Sequence, residues 1–116
     1  MITKWRRAVR HYIKLLHQEV WDVSCVQLHL DSGMFASATR CIGSHQAVLA
    51  LRTTYPNVVG FPDTLDEIAA HEVLHLLFDD VERICIDESR ITLALWERML
   101  SDVANVLARL SPSGAS

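Results

Sequence analysis

The chain has 116 residues, half of them hydrophobic and 22% charged, with a net charge of −3. That composition excludes a disordered chain and allows one modest core, so a single domain over residues 1–110 with a flexible tail at 111–116 is expected. The charge balance carries no general nucleic-acid signature, and no apolar run approaches the ~18 residues a membrane span requires.

Residues 2–18 place Trp5, Val9, Tyr12 and Leu16 on one side of a helix and Arg6, Arg7, Arg10, Lys14 and Gln18 on the other. The weak basic face over residues 4–14 reads as a solvated outer surface rather than a nucleic-acid contact, because the rest of the chain offers no matching patch. From residue 20 to about 54 the period shortens to two. "VQLHLD" alternates, "MFASATRCI" and "QAVLALRTT" read as two further strands, and "DSG" and "GSH" supply turns. Short turns between short strands predict an antiparallel meander. Residues 55–63, punctuated by Pro56, Gly60 and Pro62, read as a loop.

A second helix should begin at Thr64, whose capping box with Glu67 opens it, and run to about residue 80. A break near "ERICI" (82–86) then precedes a long helix over roughly 87–110, apolar at Leu95, Met99, Val103, Val106 and Leu110. The expected class is α+β, in the order α-β-β-β-α-α, with a small antiparallel sheet packed against helices. Nothing before residue 20 reads as a signal peptide. Cys25, Cys41 and Cys85 are scattered without a C-x-x-C pair, which points to reduced thiols and a cytoplasmic setting.

The second helix carries the chemistry. "HEVLH" sets His71 and His75 four residues apart, on one face and one turn from each other, so both imidazoles can aim at one ion. Glu72 lies beside them, able to reach a metal-bound water without ligating the metal. The rest of this helix, from Leu65 to Leu77, is apolar nearly all round and should be buried. An unpaired glutamate there would cost several kcal/mol, a conflict that a metal and a cleft resolve. Catalytic zinc needs three protein ligands and an open fourth position.

Asp79 lies eight residues from His71, about 12 Å along the axis, too far for three ligands in line to close on one ion. The third ligand should therefore come from the last helix, which offers Asp87, Glu88, Glu97 and Asp102. Its apolar arc centres near Met99, Val103 and Leu110; Glu88 falls inside that arc, whereas Asp87 and Glu97 fall outside it. Glu88 is the expected ligand, with Asp79 and Asp87 as the alternatives.

The motif followed by a downstream glutamate resembles the gluzincin arrangement of zinc metallopeptidases. The chain as a whole looks like the minimal zincin-like proteins encoded by phages and mobile elements. The resemblance spans about residues 20–107, with only the motif itself specific. It implies a zincin-like fold and a Zn2+ cofactor on His71, His75 and Glu88, with Glu72 as general base. It also implies a peptide or protein substrate lying along the third strand (46–54). The rival reading is a non-catalytic zincin-fold binding module with a structural metal or none. His45, Arg52, Tyr55 and Arg90 are candidates for oxyanion stabilisation, none singled out. His11, His17 and His29 read as exposed, and Trp5, Trp21 and Trp96 as core anchors.

Overall fold

The computed structural model describes residues 1–30, 33–41, 43–55 and 64–115; the turn at Asp31 and Ser32, and residues 56–63 of the expected loop, lie outside them. Helix α1 (Ile2–Leu15) buries Trp5, Ala8, Val9 and Tyr12, and the Trp5 indole N–H donates to the Leu49 carbonyl at 3.0 Å. Its arginines and lysines face solvent, as the amphipathic pattern requires.

Three strands follow: β1 (Asp22–Leu28), β2 (Ala36–Cys41) and β3 (Gln46–Arg52). The sheet is mixed, in the order β1-β3-β2, with β1 parallel and β2 antiparallel to β3. The expected antiparallel meander is thus corrected. The segment between Leu28 and Ala36 is too long for a tight hairpin and carries the chain across β3. β3 lies at the centre, with Ala47, Leu49 and Leu51 buried on one face and Ala50 on the other, where Val48 stays exposed. β2 is left as a sheet edge.

Helix α2 (Leu65–Leu77) starts as expected: the Thr64 hydroxyl accepts from the Glu67 amide at 3.2 Å. It is buried nearly all round, through Leu65, Ile68, Ala69, Ala70, Val73, Leu74 and Leu76, and packs on α1, β2 and the last helix. The segment expected to break is itself helical, in α3 (Asp79–Asp87); the interruption falls at residues 88–92. The last helix, α4 (Leu93–Leu110), begins at Thr92, whose hydroxyl accepts from the Leu95 amide at 3.2 Å. It buries Trp96, Leu100 and Ala104, whereas Leu95, Met99, Val103, Val106 and Leu110 are exposed. The helix is rotated away from the orientation its apolar arc suggested.

Among the described residues the architecture is therefore α+β, four helices with a small mixed sheet. Residues 111–115, expected as a flexible tail, fold back: the Ser111 carbonyl accepts from the Tyr12 hydroxyl at 3.1 Å, and the Ser113 amide and hydroxyl both donate to Asp66. The cysteines are free, Cys41 exposed and the other two half-buried. Among the described residues no helix is long and apolar enough to cross a membrane.

Candidate metal centre

His71 and His75 lie one turn apart on α2 and face α4, with ring centroids 5.1 Å apart. Between them stands Glu97 of α4. His71 Nε2 is 2.7 Å from Glu97 Oε2, and His75 Nε2 is 3.2 Å from Glu97 Oε1. One ligand atom from each of the three residues lies within 4.8 Å of the others, so the group could hold a metal ion. Two imidazole nitrogens and a carboxylate oxygen are three ligands from two elements, which leaves coordination positions open toward the cleft.

The remaining ring nitrogens are already engaged. His71 Nδ1 lies 3.0 Å from Ser101 Oγ, and His75 Nδ1–H donates to Glu82, with both carboxylate oxygens at 3.1 Å. Partners on Nδ1 fix each ring's orientation and direct both Nε2 atoms to the same point. Glu82 is held in turn by Arg40, whose guanidinium donates to its carboxylate at 2.7 Å and to the His75 carbonyl at 2.9 Å. Asp79 completes this support, 3.3 Å from Arg40 and 2.6 Å from Arg83.

The charges follow from these contacts. Burial disfavours a charged His75, but hydrogen bonds to Glu82 and Glu97 and the nearby Glu72 outweigh it and raise the imidazole to about 9. Burial opposes ionisation of Glu97 and Glu82 as well. The two histidines nevertheless hold Glu97 well below the usual carboxylate range, and His75 with Arg40 lowers Glu82. Glu72 is different. It is buried and makes no hydrogen bond among the described residues, and burial pushes its carboxyl up despite the two histidines. It lines the same cleft as His71 and His75, a space of about 570 Å³ walled on the other side by Ala36, Ser37 and Ala38 of β2. A buried carboxyl with no hydrogen-bond partner among the described residues, opening on a cleft, is poised to meet something that enters.

The structure brings together His71, Glu72 and His75 but leaves Glu88 elsewhere. Glu88 caps the C-terminus of α3, exposed and paired with Arg90 at 2.7 Å. The carboxylate that meets the two histidines is Glu97 and not the expected Glu88, because the break after α3 falls beyond Glu88 and the rotation of α4 turns Glu97 inward. Asp87 is exposed, and Asp79 serves Arg40 and Arg83. Sequence reasoning gives no role to Glu82, which falls in the segment expected to break, or to Arg40 of β2, whose approach to α3 is a tertiary contact. The signal available was a polar stripe at Glu97, Ser101 and Asn105, repeating every four residues as the histidines do.

The cleft is edged by β2, not by the third strand, which is central. None of His45, Arg52, Tyr55 and Arg90 lines it; His45 packs edge-on against Trp21 at 5.2 Å, and Arg52 lies over Phe35. His11 is half-buried, with Nε2 2.8 Å from the Ser111 carbonyl oxygen, while His17 and His29 are exposed as expected. The chain matches no family model, curated protein or solved structure with which it was compared.

Proposed function

We propose that this chain is a zinc-dependent hydrolase of zincin type, acting on peptide bonds. His71, His75 and Glu97 would hold the ion. The observation that carries this reading is the convergence of both Nε2 atoms on the Glu97 carboxylate while both Nδ1 atoms are occupied from behind. A cation that displaces the proton of His75 Nε2 would meet two oriented imidazole nitrogens and one negative oxygen.

When bound, zinc polarises a substrate carbonyl and lowers the pKa of water toward neutrality. The chain's own residues do the rest. Glu72 takes a proton from the attacking water and passes it to the departing amine, a task suited to a carboxyl whose pKa burial has raised. Among the described strands β2 is a sheet edge beside the cleft, so an extended peptide would align there as an added strand. Arg40, held between Glu82 and the His75 carbonyl, ties that strand to the histidine helix.

Glu72 also separates this reading from a non-catalytic binding module, which has no use for a buried, unpartnered base. The Glu72→Gln variant should retain about one zinc per chain while cleavage of an unstructured protein such as casein falls by ~10²–10⁴-fold. Wild-type protein that binds zinc yet cleaves nothing would favour the binding module. A Glu72→Gln variant as active as wild type would remove Glu72 as the base.

A further inference from the structure

Helix α4 has more apolar surface than its own protomer covers. Trp96, Leu100 and Ala104 fill the core, yet Leu95, Met99, Val103, Val106 and Leu110 form a second stripe that is 45% or more exposed at every position. Isolated exposed aliphatics are ordinary; five along one helix face are a contiguous patch of the kind that marks an interface. The patch lies roughly opposite Glu97 and Ser101 on the helix wheel, so it is not part of the cleft.

We infer that this face of α4 pairs with the same face of a second copy of this chain, the two helices antiparallel. Three features select a second copy. The stripe is nearly palindromic: reversal about the midpoint between residues 102 and 103 sets Leu95 against Leu110 and Met99 against Val106. An isologous two-fold contact requires that self-complementarity, and a foreign partner does not.

The charges repeat the pattern. Arg98, Asp102 and Arg109 follow one flank of the stripe and make no ion pair among the described residues. Their plus–minus–plus order is unchanged by reversal. An antiparallel twin brings like flanks together and sets each Asp102 between Arg98 and Arg109 of the other copy. A parallel pair would face this flank with the side of α4 that is buried in its own core.

The area suffices as well. Five half-exposed aliphatic side chains offer on the order of 500 Å² per copy, and two copies reach the roughly 1,000 Å² a specific interface needs. Both clefts stay open, on the outer sides of the pair.

Sedimentation equilibrium at about 100 µM chain tests the proposal. The expected mass is twice 13.1 kDa, falling to 13.1 kDa in Val103→Glu with zinc content and circular dichroism unchanged. A wild-type mass of 13.1 kDa, a higher oligomer, or a dimer that persists in Val103→Glu overturns it. Val103→Cys, which leaves the stripe otherwise intact, covers the case of a misfolded glutamate variant. Beside the two-fold axis, its thiols should be joined by a short bismaleimide into a covalent dimer that wild type does not form. No additional crosslink in Val103→Cys would equally refute the antiparallel pairing.

Discussion

Replacing Glu97 by alanine separates the two candidate third ligands most sharply when compared with Glu88→Ala. Ligand that binds only the folded state stabilises it by RT ln(1 + [L]/Kd), about 2.7 kcal/mol at a free concentration of 100 Kd. Unfolding entropy of roughly 2.1 cal/mol/K per residue converts this, for 116 residues, into a rise in Tm of about 11 °C. Loss of a supporting contact behind a ligand already costs 10–100-fold in affinity, so loss of the ligand itself should cost at least about 100-fold. At the same zinc concentration the rise for Glu97→Ala then shrinks to about 2 °C. Glu88 is exposed and paired only with Arg90, so Glu88→Ala should keep the full rise. Differential scanning fluorimetry of chelator-treated protein, with and without added zinc, reads all three values. Equal zinc-dependent rises in wild type and Glu97→Ala, or loss of the rise in Glu88→Ala, would refute the reasoning.

Glu82→Gln removes the charge behind His75 and the ion pair to Arg40, and zinc affinity measured by chelator competition should fall 10–100-fold; unchanged affinity would leave Glu82 a purely structural acid. Tyr12 is raised from 10.0 to about 12 by burial and by the charge of Asp66. The protonated phenol is therefore favoured by folding. Its contribution should be intact below pH 10 and lost as pH rises toward 12, visible as a fall in denaturation midpoint that Tyr12→Phe lacks. Leu74 is fully buried in the hydrophobic core, so Leu74→Ala should cost about 2–5 kcal/mol in urea unfolding, and a loss below about 1 kcal/mol would contradict the packing.

The placement of His71, Glu72 and His75 on one helix was legible in the sequence, and what packs against them was not. His71, Glu72 and His75 are related by helix geometry alone, and Thr64 with Glu67 marks a helix start through a contact three residues long. Glu97 depends on how α4 is rotated, and periodicity answers that only when a helix has one apolar face. Here it has two, one turned to the core and one to solvent. The more continuous stripe, through Met99, Val103 and Val106, is the exposed one. The cleft wall of Glu97 and Ser101 is polar, which in a hydropathy pattern is the same as a solvated face. The sheet order failed for a related reason. Short turns between short strands suggested a meander with β2 in the middle, but the observed order places β3 there through a crossover that no local signal specifies.

The central claim is that His71, His75 and Glu97 converge on one zinc ion. Anomalous diffraction collected on either side of the zinc absorption edge, from crystals of zinc-loaded protein, tests it directly. A single strong peak per chain is expected about 2.0–2.1 Å from Nε2 of both histidines and within about 2.2 Å of a Glu97 oxygen. A zinc peak on Glu88, on the cysteines, or nowhere in the cleft would contradict it.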